Sequence, residues 1–279
     1  MAAMAPLLAA HAAEPPGDAR QRLAAIERAS GGRLGVAAID TGGGASLAYR
    51  ADERFPMCST FKLLLVAAVL NRVDGGAERL DRAIAFGAAE IQHYAPVTKA
   101  HLGEGTMTVE ALCAAAIEWS DNTAANLLLR TLGGPAGITG YARSLGDPVT
   151  RLDRFEPALN EATPGDPRDT TTPAAMLRDL RLILVETALA PASRRRLEGW
   201  MIAAKTGDRR LRAGVPAGWR VGDKTGIRGE HGTADTVAIL WPPDRPALLA
   251  AVYLTGARVA VAGRDAAHAA VGRLIAETL

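Results

Sequence analysis

Lysine is scarce in this chain. Four of its 279 residues are lysine (Lys62, Lys99, Lys205 and Lys224), against twenty-eight arginines. Arginine carries the routine cationic surface, so a lysine in apolar surroundings calls for a chemical reason. Aromatic residues are also few, at 4%. With Ala, Leu and Arg abundant, that composition points to a helix-rich α/β or α+β protein. Two cysteines, Cys58 and Cys113, exclude a disulfide framework, and both are expected to be buried free thiols. The five histidines (His11, His93, His101, His231 and His268) have no metal-ligand spacing, so no metal site is expected. Neither sign of charge dominates: 32 basic and 30 acidic residues give a formal charge of +2. Basic residues cluster only at Arg194-Arg195-Arg196 and Arg209-Arg210, which excludes a nucleic-acid footprint. No apolar run is long enough to span a membrane. What remains is a 48% hydrophobic chain, long enough for one large domain or two intertwined ones.

Residues 1–13 have a short apolar core and small residues ahead of Glu14, the pattern of an export signal without its basic start. They imply a periplasmic or secreted protein. A helix is predicted over 17–30, ended by Gly31-Gly32, then two alternating strands over 33–40 and 46–50 around Thr41-Gly42-Gly43-Gly44. Helical periodicity then takes over at 59–73, 108–119, 123–132, 134–145, 172–184 and 192–203. Strands return at 219–226, 233–241 and 247–255 before a helix over 265–279. Neither strand set alone buries enough surface, so the two must pair into one sheet. This predicts an α/β sheet domain from residues 14–51 and 212–279, with an all-helical domain, residues 52–211, inserted between them.

Ser59-Thr60-Phe61-Lys62 precedes the apolar run Leu63 to Leu70. At the start of a helix, Ser59 and Lys62 stand at i and i+3, close enough for the amine to touch the hydroxyl. Free N–H groups and partial positive charge at the helix start favour an anion there. An N-cap serine followed by a snorkelling lysine is the plainer reading. The scarcity of lysine weakens it, because a desolvated lysine can give up its proton where arginine cannot. Ser120-Asp121-Asn122 falls between two helices and in isolation reads as an N-cap turn. Lys224-Thr225-Gly226 ends a strand, where a lysine and a hydroxyl could hold a carboxylate beside an accessible backbone. Lys205-Thr206-Gly207 repeats those letters but follows a helical run, where lysine then glycine is an ordinary C-terminal signal.

In this order, Ser59-x-x-Lys62, Ser120-Asp121-Asn122 and Lys224-Thr225-Gly226 resemble the three signature motifs of class A serine β-lactamases. The resemblance runs from about Gly17 to the end. It is densest at His93 to Thr98, Ser120 to Leu129, Arg151 to Glu161 and Arg168 to Thr171. It implies a mostly antiparallel sheet domain built from both chain ends and flanked by helices, with an inserted all-helical domain. It also implies an Ω loop at 154–169, with Arg154 and Asp169 paired across its neck. On composition alone Glu156 would be a surface glutamate. The resemblance instead makes Glu156 and Asn160 the pair that holds the deacylating water.

The other roles it implies are these. Ser59 attacks the lactam carbonyl, and the N–H groups of Ser59 and Ile227 form the oxyanion hole. Lys62, or Glu156 through water, takes the serine proton, and Ser120 relays a proton to the lactam nitrogen. Asn122 holds the substrate's side-chain amide, while Lys224, Thr225 and Gly226 grip its carboxylate. The strand after the third motif reads Gly232-Thr233-Ala234-Asp235 and lacks the arginine many relatives place there; Arg210 matches the position from which other members supply it to support that grip. Tyr94 walls the mouth of the cleft. The substrate is a penicillin-type β-lactam, no cofactor is needed, and a monomer is expected, with neither membrane nor nucleic acid as partner. Ile227 and Arg228 depart from the small residues usual at their positions. Cys58 lacks the mate it has in some relatives, and Val66 stands where the partner of Cys113 would be. A D,D-peptidase of the penicillin-binding class shares the three motifs without the Glu156 and Asn160 water site, and a β-lactam sensor domain would stay acylated.

Overall fold

The computed structural model describes residues 17–279; the export-signal pattern at 1–13 lies outside the described residues. Helix α1 (Gly17–Ser30) leads into β1 (Arg33–Asp40) and β2 (Ser46–Tyr49). The helical region follows, with α2 (Phe61–Asp74), α3 (Val109–Glu118), α4 (Asn122–Thr131), α5 (Pro135–Ser144), α6 (Pro173–Leu184), α7 (Pro191–Ile202) and the short α8 (Leu211–Gly214). Two small strand pairs, β3 (Phe55–Pro56) with β6 (Thr170–Thr171) and β4 (Ala83–Ala85) with β5 (Thr106–Thr108), brace its loops. The chain closes with β7 (Arg220–Arg228), β8 (Thr233–Trp241), β9 (Leu248–Thr255) and α9 (Val261–Thr278).

The two ends of the chain meet in one antiparallel sheet of order β2-β1-β9-β8-β7. β1 pairs with β9 along its whole length, from Arg33 opposite Thr255 to Asp40 opposite Leu248. Both sheet faces are covered, so β9 and the middle of β1 are apolar nearly throughout instead of alternating with polar residues. Leu248, Ala250, Val252 and Leu254 point to the side packed by α1 and α9, with Leu23, Val271 and Ile275. Leu249, Ala251 and Tyr253 point to the other side, toward Phe61, Met176 and Leu180 of the helical region.

Helix α2 runs through the middle of that region, and every residue from Phe61 to Leu70 is buried. A helix apolar all round can only be stable when surrounded, and α3, α4, α5 and α7 pack around it. Each of its fully buried leucines contributes roughly 1.5–3 kcal/mol. Lys62 is the one ionisable side chain in that run, and it too is fully buried.

Most expected elements are present, with shifts that have local causes. The expected helix start at Ser59 is a 3-10 turn over Cys58–Thr60, closed by Thr60 N–H on the Met57 carbonyl at 3.0 Å, with α2 beginning at Phe61. Helix α9 begins four residues before the expected 265, because Gly263 falls in its first turn, where its low propensity is tolerated. The strands β3 to β6 and the four-residue α8 are too short to carry a period. Both cysteines are buried and free.

Away from the cleft, Asp179 on α6 is fully buried and neither carboxyl oxygen has a hydrogen-bond partner. Burial and then the neighbouring Asp147 carboxylate push its pKa up to about 9, against weaker pulls from Arg178 and Arg143. Asp147 itself accepts the Val149 and Thr150 N–H groups. The folded state holds a proton at Asp179 that the unfolded chain releases above its ordinary value of 3.8. This contribution to stability is fully present below that value and is lost as pH rises toward about 9. Asp179→Asn removes the linkage. It should raise the unfolding free energy at mildly alkaline pH by on the order of 2 kcal/mol and change it much less in acid. Denaturant melts at the two pH values check this, and equal effects would refute it.

Candidate active site

Four segments converge at the junction of the sheet and the helical region: the 3-10 turn with Ser59, the α3–α4 turn, the end of β7, and the loop over 154–169. Cys58 (φ +41°) and Ser120 (φ +59°) both hold left-handed backbone conformations. Such conformations cost of order 1–3 kcal/mol in non-glycine residues and persist where the surroundings enforce them.

Lys62 is the hub. Its Nζ lies 3.1 Å from Ser59 Oγ, 2.7 Å from the Ser120 carbonyl, 3.3 Å from Ser120 Oγ and 2.6 Å from Asn122 Oδ1. It is also 3.1 Å from Glu156 Oε1, with both side chains fully buried. An ammonium has only three protons to offer these five acceptors. Burial lowers the basicity of Lys62, and the Glu156 charge is the main opposing pull. Ser59 Oγ is also 3.4 Å from Glu156 Oε1, so the hydroxyl faces a lysine and a carboxylate together.

Asp121 caps α4 through Ala124 N–H at 2.9 Å, as the plain turn reading expects. Its carboxylate also takes the Val97 and Thr98 N–H groups at 3.0 and 2.9 Å, tying down the neighbouring loop. Asn122 N–H binds the Tyr94 carbonyl at 3.0 Å, and the Tyr94 ring stands half exposed. The cap thus fixes Ser120, Asn122 and Tyr94 relative to one another.

Glu156 is clamped by Asn126, which donates to its carbonyl at 2.9 Å and accepts its N–H at 3.0 Å. Asn160 Nδ2 donates to Glu156 Oε2, while Asn160 Oδ1 is buried with no protein partner. At the loop's neck, Arg154 Nε and Asp169 Oδ2 are 2.6 Å apart.

On β7, Lys224 is buried and its Nζ donates to Ser120 Oγ at 3.0 Å. Burial and then the Lys62 charge hold its basicity well down. Ser120 Oγ therefore bridges two lysines. Gly226 lets β7 close on the Ser59 turn, since a Cβ there would lie 3.0 Å from both Cys58 Cβ and the Met57 carbonyl. The Ile227 side chain is half exposed. Arg210 is buried, paired with Asp265 at 3.0 Å, and donates through Nη1 to the Gly226 and Asp235 carbonyls at 2.8 and 2.7 Å.

Ser59, Lys62, Ser120, Asn122, Glu156, Asn160 and Lys224 thus form one connected network. Arg210 joins β7 through Gly226, and Tyr94 joins through its backbone. Three contributors were not anticipated. Thr206 shares a 2.6 Å hydrogen bond with Thr225 Oγ1, so the triplet set aside as a helix end lies against the site. Asn126 and Asp265 position Glu156 and Arg210, and neither belongs to a short motif.

A sheet made from both chain ends thus meets the helical region at a buried lysine that joins a serine to a carboxylate. Comparison with known proteins says which family has this arrangement. A family model described as the beta-lactamase enzyme family matches residues 18–279. The beta-lactamase CTX-M-8 of Citrobacter amalonaticus is 45% identical over 93% of this chain and 89% of its own. The carbapenem-hydrolyzing beta-lactamase KPC of Klebsiella oxytoca is 46% identical over 92% and 87%. Among solved structures, an ancestral (GNCA) class A beta-lactamase superposes with a TM-score of 0.91 at 60% identity, covering 94% of this chain and 100% of that one. The chain belongs to the class A β-lactamases, hydrolases of the β-lactam amide.

The hub makes a direct prediction. Glu156→Gln removes the charge that sustains Lys62, whose titration should move down. Carbon-13 labelling of lysine side chains reads this directly, since four lysines give few signals to assign. An unmoved Lys62 titration would refute the coupling.

Proposed function

We propose that the protein opens penicillin-type β-lactams through an acyl-enzyme on Ser59 and clears it with a water activated by Glu156. The observation that carries this reading is the double contact of Ser59 Oγ with Lys62 Nζ at 3.1 Å and Glu156 Oε1 at 3.4 Å. Proton removal from Ser59, by Lys62 or by Glu156 through water, lets Oγ bond to the lactam carbon. Negative charge then develops on the carbonyl oxygen, where the N–H groups of Ser59 and Ile227 each contribute about 3 kcal/mol. The C–N bond breaks as Ser120, held between Lys62 and Lys224, passes a proton to the lactam nitrogen. The loop over 154–169 then serves the second half. A water between Glu156 and Asn160 loses a proton to Glu156 and bonds to the ester carbon; the bond from that carbon to Ser59 Oγ breaks, and the proton passes from Glu156 to Oγ to restore the hydroxyl. The buried, unpartnered Asn160 Oδ1 supports such a water, because an acceptor without a protein partner is a place where a water can bind.

Lys224, Thr225 and Gly226 receive the substrate carboxylate, with Arg210 adding positive charge from behind the strand. Asn122 takes the side-chain amide, and Tyr94 forms the rim. No metal or organic cofactor enters these steps. The same reading divides the chain into a sheet domain, 14–51 with 212–279, and a helical domain, 52–211. It makes the protein an exported periplasmic or secreted monomer; among the described residues no helix is long and apolar enough to cross a membrane.

Intact-mass measurement after adding penicillin tests the two halves separately. Wild type should turn over with no lasting adduct, and Glu156→Ala should accumulate one penicillin mass on Ser59. A lasting wild-type adduct would instead favour a penicillin-binding peptidase or a sensor. Arg210→Ala should raise KM by about tenfold or more, with a smaller effect on kcat. Unchanged steady-state kinetics in the folded variant would remove Arg210 from the substrate site.

A further inference from the structure

Behind the nucleophile turn lies a carboxyl group that the steps above do not use. Asp235, on β8, is fully buried, and neither of its oxygens has a hydrogen-bond partner. It sits opposite Gly226 in the β7–β8 register. A methyl group built on Gly226 would lie 3.1 Å from Asp235 Oδ2, 3.0 Å from Cys58 Cβ and 3.0 Å from the Met57 carbonyl. The carboxyl group, the Cys58 side chain and the Gly226 Cα therefore meet at one point. Cys58 is the residue in the left-handed conformation immediately before Ser59, and Gly226 immediately precedes Ile227. Arg210 ties the same register pair together through both carbonyl oxygens.

We propose that Asp235 is a positioning residue of the oxyanion hole, acting through Cys58 and Gly226 on the backbone N–H groups of Ser59 and Ile227. Removing it would leave a space directly behind the two residues whose backbones aim the donors. The strained turn at Cys58 could relax into that space. The carboxyl group does this work as an undissociated acid. Burial raises its pKa well above the ordinary range, and the Arg210 guanidinium is the main opposing pull. The Arg210 charge is already matched by Asp265. A carboxylate at this point would place a full negative charge behind the site where an oxyanion forms, whereas a neutral acid fills the space without opposing it.

The inference rests on Ser59 being acylated, so that step is checked first: a Glu156→Ala protein that takes up no penicillin mass overturns the acyl-enzyme reading itself, whatever Asp235 does. With the adduct formed, the carbonyl stretch of the trapped ester, read by infrared spectroscopy, reports the hydrogen bonds of the oxyanion hole. In the Glu156→Ala background, Asp235→Ala should move that stretch to higher frequency and slow acylation by about tenfold. Asp235→Asn, neutral and of the same shape, should restore both to within about threefold of the parent. Should Asp235→Ala not fold, Asp235→Thr, which suits a strand and lacks the carboxyl group, takes its place. An unmoved ester stretch in the truncated variant overturns the positioning role, and so does a loss in Asp235→Asn as large as in Asp235→Ala. The protonation state is read separately, from the spectrum of unacylated wild type minus Asp235→Asn at neutral pH. It should show the carbonyl band of an undissociated acid, and carboxylate bands in its place would overturn the neutral form.

Discussion

An ammonium group without access to water governs the arrangement of this cleft. Lys62 and Glu156 are both fully buried, 3.1 Å apart. Taking two such charges out of water costs several kcal/mol each, so a buried pair of this kind adds little net stability, while breaking it by removing one partner costs roughly 3–5 kcal/mol. Its value lies in what it fixes. The lysine must collect acceptors to remain in place, and those it collects come from segments far apart in sequence: Ser59, Ser120, Asn122 and Glu156. Each acceptor is in turn held by a second contact. Asp121 secures the turn that carries Ser120 and Asn122, and Asn126 clamps the backbone of Glu156.

The fold supplies the rigid frame that such a network needs. Helix α2 is surrounded by apolar side chains, so Lys62 has no route to solvent except toward the cleft. The sheet delivers β7 as its outer strand, with one long edge paired to β8 and the Ser59 turn packed against it. Most groups of the network therefore stand on regular elements and short turns. The loop over 154–169 is the exception, and it is cinched by Arg154 and Asp169 and by contacts to the body of the protein.

Much of this could be read from the residues. The strands at 33–40, 233–241 and 247–255 were legible as strands, though 33–40 read as alternating where the structure buries both of its faces, and the scarcity of lysine drew attention to Lys62. Local motifs located Ser59, Ser120, Asn122, Lys224 and Thr225, because each lies in a run of three or four residues with its own chemical logic. Glu156 and Asn160 needed the resemblance, since a glutamate in a loop carries no local sign of burial. What stayed hidden depends on contacts between distant segments. Thr206 looked like part of a helix end, yet it meets Thr225 across the cleft wall. Asn126 is one polar residue on a helix until the loop folds over it, and Asp235 on β8 gave no sign that it faces Cys58. Two- and three-residue strands leave no periodic trace at all.

The pairing of β1 with β9 also shapes how the molecule comes into being. Arg33 lies opposite Thr255 and Asp40 opposite Leu248, so the central seam of the sheet joins residues more than two hundred positions apart. A chain emerging in order from its N-terminus must leave β1 and β2 without their central partner until nearly all of the polypeptide exists. Closing so large a loop carries an entropic cost that is recovered only when the last strands dock, which places this topology among slow, high-contact-order folders. The cleft, built where the late strand β7 meets the early Ser59 turn, is therefore among the last features to take shape.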